Sequence, residues 1–392
     1  MTLNQPKTDE TQRQITVMEP AWDGDIHLPA NLGLLRVVCG AYPSANITYV
    51  GGQAQIALMQ SMDTPDIAGR VTYIPWLAQL DKDTLPTDVY RSFKRLRALP
   101  QQVTQQANLI VMCSCTASML SAINWAGYAH KTCTMLHGNA NELSGWRSRN
   151  PLRSSFDLTG ALKRFCLKGG RVTVLEERIR TQMSRDYPWL ANSLSVIPHP
   201  LLPEEACAPG LIRTLSLPIR IGFAGRASAA KGFPDFLQFA QQLQRLRPGV
   251  FEFHAFGMLA PECADLDQTA LVTRAHSSLS RQQYLDGLNS LHYIFVWHQD
   301  NYYGNAASGV VYDAINLGLP LIARHSVQIS DWANAGLSIA QSYEDLQTAT
   351  ENMAQFDMDT EQMLYQKFCI NIKKLRDSLS LPKLSHIFEN EF

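Results

Sequence analysis

The chain has 392 residues, 45% of them hydrophobic and 18% charged, with a net charge of −1. That balance supports packed cores, excludes a disordered chain, and suits two domains by length. The near-neutral charge, without a recognisable nucleic-acid module, excludes DNA and RNA as partners, and no apolar run reaches the roughly 18 residues of a membrane span.

Residues 1–33 are polar and contain proline, and read as a loose N-terminal arm without a secretory signal. LLRVVCG (34–40) reads as the first strand, β-branched and stopped by glycine. Gly51-Gly52 opens a helical pattern, GGQAQIALMQSM. VTYIPW (71–76) is a strand and residues 85–106 a basic helix. NLIVMCS (108–114), KTCTMLHG (131–138), GGRVTVLEE (169–177) and LSVIPHP (194–200) continue the strands, with a helix through 185. Strands alternating with helices argue for a parallel sheet covered on both faces.

Residues 201–218, with three prolines and a glycine, read as a linker. A second alternation begins at IRIGFAG (219–225) and runs through a helix at 234–246 and strands at 251–257 and 270–274. A helix follows at 280–291, with Ser280 as N-cap and Gln283 as its capping-box partner. HYIFVWH (292–298) and LPLIAR (319–324) are strands, and 359–378 is a helix of mixed charge. The expected fold class is α/β, with two Rossmann-like domains whose parallel sheets face across a cleft. The domains are 34–200 and 219–358, and residues 359–392 form a C-terminal helix. Ligands of such sheets bind beyond the carboxyl ends of the strands.

Two stretches of the second domain carry chemistry. In FAGRASAAKGFPDF (223–236), Arg226 and Lys231 stand on a strand-to-helix loop, where a planar fork and a compact charge can meet one anion. Gly225 and Gly232 let the backbone come close, and GxxxxGK[ST] is absent. In NYYGNAASGVVYDAINLGLPLIA (301–323), small residues precede an apolar helix. Amides of Ser308, Gly309 and Val310 would offer orphan donors and a positive dipole end to a phosphate. Asp313, one to two turns in, would reach a hydroxyl beside it. Gly318 and Pro320 end the helix. Read blandly, the same residues make a solvated loop and an ordinary helix–strand unit. Taken together in one domain, they point to a diphosphate site.

These residues resemble the GT-B nucleotide-sugar glycosyltransferases, most nearly the large family 4. GRASAAKG is similar to that family's Gly-Arg…Lys-Gly loop, and GNAASGVVYDAINLGLPLIA to its pair of acidic residues separated by seven intervening positions, closed by Ala…Gly-x-Pro-x-Ile-Ala. MLHGNANEL (135–143) and LSVIPHPL (194–201) extend the likeness over most of residues 34–325. The resemblance implies that Arg226 and Lys231 hold the donor diphosphate and stabilise charge on the leaving nucleotide without a metal. It implies that Asp313 binds the ribose, that His137 meets the sugar, and that Gly51-Gly52 approaches donor or acceptor. It also implies that the C-terminal helix crosses back to the first domain. Asn305 stands where the family has a glutamate against the donor sugar. Its amide can hydrogen-bond hydroxyls but carries no charge for an oxocarbenium-like transition state. His199 reads as structural, and His298 is left open.

No cofactor is expected beyond the nucleotide-diphosphate sugar as donor substrate. No metal is expected either. Asp23-Gly-Asp25, Asp81-Lys-Asp83, Asp265-Leu-Asp267 and Asp357-Met-Asp359 do not follow apolar strands, and Cys113-Ser-Cys115 has no second pair. The eight cysteines read as reduced thiols. Residues 146–171 carry seven Lys/Arg against one acid, with Trp146, Phe156 and Phe165 interleaved. They fit either a solvated loop and helix or a peripheral contact with an anionic membrane surface. The resulting expectation is a cytoplasmic or inner-membrane-peripheral hexosyltransferase. It would pass a sugar to a glycan or lipid-linked glycan in exopolysaccharide or lipopolysaccharide biosynthesis. The alternatives are a nucleotide-sugar-binding protein with weakened catalysis and a GT-B sugar epimerase.

Overall fold

A computed structural model describes residues 13–62, 64–76, 86–137, 143, 156–202, 213–276, 278–299 and 306–392. They form two compact units. Unit 1 holds the described residues up to Pro200, with Ala306–Ala307 and Leu379–Phe392. Unit 2 holds the described residues from Leu201 onward, resuming at Ser308 and ending at Ser378.

In unit 1 the chain runs β1 (Gln14–Met18), α1 (Leu28–Ala41), β2 (Asn46–Gly51), α2 (Gln53–Ser61), β3 (Val71–Pro75), α3 (Pro86–Ala98), β4 (Leu109–Met112) and α4 (Ala117–Ala126). It continues through β5 (Thr132–Met135), α5 (Leu158–Leu167), β6 (Arg171–Val174), α6 (Glu177–Asp186) and β7 (Leu194–Val196). The seven strands form a parallel sheet in the order β3-β2-β1-β4-β5-β6-β7. The order reverses between β1 and β4, so the crevice of this sheet lies at their carboxyl ends.

Two expectations fail here. The supposed loose arm contributes β1, which pairs on one side with β2 and on the other with β4. Ile15, Val17 and Met18 are buried, and that burial fixes the segment at the sheet centre. The run 34–40 is not a strand but the second half of α1. Nearly every position from Leu28 to Ala41 is buried, so no amphipathic period shows in the sequence. Even Arg36 is enclosed, with Nε donating to Asp66 Oδ2 at 2.8 Å.

Unit 2 runs β8 (Ile219–Ala224), α7 (Phe233–Leu246), β9 (Phe251–Phe256), α8 (Arg281–Asn289), β10 (Tyr293–Val296), α9 (Gly309–Leu317), β11 (Leu321–Arg324), α10 (Val327–Asn334), β12 (Ala340–Tyr343), α11 (Leu346–Ala354) and α12 (Met358–Ser378). Its parallel sheet has the order β12-β11-β10-β8-β9 and reverses between β8 and β10. Residues 270–274 form no strand, only an isolated bridge from Thr273 to His254. The expected capping box at Ser280 and Gln283 is present. Phe223 of β8 packs on Phe233 and Phe236 of α7 at 5.2 and 5.6 Å, and Phe236 on Phe295 of β10 at 5.3 Å. Burying each such ring contributes about 1.5–3 kcal/mol, so the loop joining β8 to α7 starts and ends on firm ground.

The tail also departs from expectation. α12 stays within unit 2, where Tyr365 is buried and Asn371 Nδ2 donates to Ser338 O at 2.9 Å. Only the shorter α13 (Leu381–Glu391) belongs to unit 1, where it packs against α1. Gly40 makes room for that contact, since a Cβ there would overlap Ser385.

Candidate functional site

In unit 2 the polar features gather at the strand-order reversal. β8 ends at Ala224 and the chain turns at Gly225, with φ +79°. Ala227 N then donates to Met258 O at 2.9 Å, and Gln299 N donates to Ala230 O at 3.1 Å. The loop is thus pinned to the segments that follow β9 and β10. Gly232 closes it at φ +81°, where a Cβ would lie 2.0 Å from the Trp297 carbonyl oxygen. Only glycine meets both demands, the positive φ and the close approach.

Three elements converge on Gly225. A Cβ placed there would lie 3.3 Å from Val310 Cγ2 and 3.5 Å from Lys231 Nζ. The Lys231 ammonium and the first turn of α9 therefore meet beside the turn that follows β8. Burial pushes the Lys231 pKa down, the nearby Arg226 charge adds to this, and Asp313 opposes it. Arg226 is exposed at the same loop. His298, after β10, is held neutral, pushed down to about 3 by burial and then by the Lys231 charge.

The helix start is built as the sequence suggests. Ser308 is the N-cap of α9, but its side chain accepts no capping hydrogen bond. Its Oγ is buried without a partner among the described residues. Gly309 is exposed, and a Cβ there would meet nothing within 4 Å. Orphan first-turn amides, an unpaired hydroxyl and open space form an anion-binding arrangement. Asp313 differs from a carboxylate waiting for a ligand. Arg281 Nη2 donates to its Oδ1 and Tyr284 Oη to its Oδ2, each at 2.9 Å. A carboxylate has further lone pairs, so a ribose hydroxyl would join this arrangement.

The reversal point of unit 1 has other chemistry. Glu19 follows β1 and is fully buried. Its Oε1 accepts from Ala21 N at 2.8 Å, Trp22 N at 3.2 Å and Ser114 Oγ, and its Oε2 accepts from Asn31 Nδ2 at 3.0 Å. Burial raises its pKa, and these donors only partly oppose the shift. His137 follows β5, and its Nε2 lies 2.7 Å from Cys113 O. A carbonyl only accepts, so Nε2 carries the proton and Nδ1 the lone pair. The ring stays neutral, pushed down to about 3 by burial first and then by His27. His27 lies against it with centroids 4.9 Å apart. His199 is pushed down to about 4 by burial, and its Nδ1 lies 2.9 Å from Pro200 O.

Gly51 and Gly52 have packing explanations. A Cβ on Gly51 would strike the Tyr49 ring at 2.7 Å, and one on Gly52 would overlap Asp23 Oδ1 at 2.0 Å. Asp23 uses that oxygen to accept from Gln55 N at 2.9 Å, capping α2 from a neighbouring loop. Asn305, Gly138, residues 146–155 and most of the 201–218 linker lie outside the described residues. Sequence reasoning missed Glu19, His27, Arg281 and Tyr284. The first two stand in EPAWDGDIH (19–27), a turn-rich run whose place at a strand end is visible only once β1 is recognised.

Among the described residues no group of three or more His, Cys, Asp or Glu is placed to hold a metal ion. No described helix is long and apolar enough to cross a membrane.

No protein-family model matches the chain, and no curated protein matches it. Solved structures do. A glycosyltransferase from Rickettsia africae ESF-5 is 11% identical, with 96% of each chain covered and a TM-score of 0.64. WaaG, a glycosyltransferase involved in lipopolysaccharide biosynthesis, is 10% identical, with 96% of this chain and 99% of that chain covered and a TM-score of 0.61. An E. coli trehalose-6-phosphate protein bound with UDP-2-fluoro glucose is 11% identical over 96% of this chain and 98% of its own, with a TM-score of 0.56. These likenesses define the fold: an α/β chain with two parallel sheets, as in these GT-B neighbours.

Proposed function

We propose that the protein is a nucleotide-sugar-dependent glycosyltransferase. It would move a hexose from a nucleoside diphosphate to a hydroxyl of a glycan or lipid-linked glycan in surface polysaccharide biosynthesis. The observation that carries this reading is the convergence of Lys231, Gly225 and the first turn of α9 on one point beyond β8. Arg226 and Lys231 would bind the diphosphate and stabilise the charge that builds on it as the glycosidic bond breaks. Amides of Ser308, Gly309 and Val310, with the unpaired Ser308 hydroxyl, would complete the cradle. Asp313, held by Arg281 and Tyr284, would take the ribose. Unit 1 would supply His137 as a neutral hydroxyl partner, and Asn305 would contact the donor sugar as an amide. This chemistry needs no metal.

The fold type supports the reading, as does a structural neighbour solved with UDP-2-fluoro glucose. The basic run 146–171 supports an anionic, lipid-linked acceptor at a membrane surface. The test is release of nucleoside diphosphate from UDP-, GDP- and ADP-sugars, with and without lipid-linked oligosaccharide acceptors. Acceptor-dependent release from one donor is expected. Donor binding without release under any acceptor would instead identify a nucleotide-sugar-binding protein.

A further inference from the structure

His27 is the only non-glycine among the described residues with a positive φ, at 60°. An L-residue is strained there, and glycine or asparagine would fit more easily. Such strain, when the surroundings enforce it, clusters at functional positions. The surroundings do enforce it. His27 is the N-cap of α1, and its carbonyl accepts from Asn31 N at 2.9 Å. The Asn31 side chain is in turn fixed to the buried Glu19. The His27 ring contacts both Trp22, with centroids 5.6 Å apart, and His137, at 4.9 Å.

A packing role leaves one fact unexplained. His27 Nδ1 is buried and has no hydrogen-bond partner among the described residues. An unmet buried polar atom is costly, and an apolar or smaller residue would fill the same space without that cost. Beside it, the His137 tautomer is set by Cys113 O, so its Nδ1 is an acceptor. Both rings lie at the carboxyl edge of the sheet, where β1, β4 and β5 are adjacent. Trp22 adds an aromatic ring to the same cluster, in a T-shaped contact with His27. Glu19, Trp22, His27 and His137 carry no positive charge at neutral pH, so this edge does not favour an anion.

We infer that His27 is a second hydroxyl-contacting residue of unit 1, pairing with His137 to bind the sugar part of a substrate through ring nitrogens. The inference deepens the glycosyl-transfer reading and rests on it for the class of ligand.

The test uses the full chain labelled with 15N, with the His27 ring signals assigned by their loss in His27→Gly. Glycine keeps the positive φ and removes the ring, while His27→Asn tolerates the same backbone and serves if the glycine variant does not fold. The probes are glucose, galactose and N-acetylglucosamine, then UDP-glucose and GDP-mannose, then UDP and GDP alone. The ring signals of His27 and His137 are expected to shift with a sugar-bearing probe and stay unmoved with bare UDP or GDP. Both variants are expected to bind that sugar-bearing probe at least about tenfold more weakly, while bare nucleotide binds as in wild type. Rings silent to every sugar-bearing probe, or variants that bind it as wild type does, would overturn the inference. Responsive rings in a protein that binds no nucleotide would sink the donor-site reading alone. Nucleotide binding with silent rings would sink this inference alone.

Discussion

The two sheets reverse strand order in the same way, but their crevices are chemically opposite. At the unit 2 reversal stand two cations, a helix N-terminus and glycines that open the backbone. At the unit 1 reversal stand neutral histidines and a buried carboxyl group whose pKa is raised. The first set suits a diphosphate and the second suits uncharged hydroxyls. One topology thus presents charged or uncharged chemistry according to which residues terminate its strands. Fold alone would not assign either role.

The largest expected effect breaks the charged side. Arg226→Ala combined with Lys231→Ala should lower kcat/KM by at least about 10²-fold, because each charge-assisted hydrogen bond contributes about 1.5–3 kcal/mol. Steady-state kinetics with the active donor checks this. An equal loss from Glu19→Gln alone would erase the contrast between the units.

Backbone substitutions come next. Gly232→Ala sets a side chain at positive φ and against the Trp297 carbonyl, and should destabilise unit 2 by about 2 kcal/mol or more. Gly52→Ala has ordinary backbone and displaces only the Asp23 side chain, so it should cost about 1 kcal/mol, the value of a lost cap. Urea unfolding of both variants compares the two loops. Gly309→Ala is sharper. Nothing surrounds its Cβ, so stability should hold or rise slightly, while nucleoside diphosphate binding weakens by about threefold to tenfold as the methyl enters the anion's space. Calorimetry with the nucleotide reads both.

The smallest effect is on acid stability. His27, His137 and His199 have folded pKa values below the ordinary histidine range, mainly through burial. Below that range the unfolded chain binds more protons, down to about 3 for His137 and about 4 for His199, so stability falls as pH falls. Glu19 has the opposite sign, because its raised pKa removes stability as pH rises through it. His137→Gln should flatten the acid decline in Tm measured from pH 7 to pH 4. A decline as steep as in wild type would show that this ring does not contribute to it.

Much of unit 2 was legible in the sequence. The loop from Gly225 to Gly232, the Ser280 capping box and the helix from Gly309 to Gly318 each carry local turn or cap chemistry that needs no tertiary context. Unit 1 was harder. β1 is short and follows a polar run, and α1 is buried on nearly all sides, so periodicity misassigned both. Losing β1 hid Glu19 and His27, whose meaning depends on standing at a strand end. Asp313 was placed from sequence, but its bonds to Arg281 and Tyr284 join residues about thirty positions apart, which no local pattern reports. Gly51 and Gly52 suggested ligand approach because a glycine pair signals close contact without naming the partner. Here the partners are Tyr49 and Asp23.

The most direct test of the central claim is a thermal-shift series with UDP, GDP, ADP and CMP, comparing wild type with the Arg226→Ala/Lys231→Ala variant. A ligand at 100 times its Kd adds about 2.7 kcal/mol to the stability of the state it binds. The account predicts a rise in Tm with one nucleoside diphosphate and no rise with that nucleotide in the variant. Equal shifts in both proteins, or none in folded wild type at millimolar nucleotide, would contradict it.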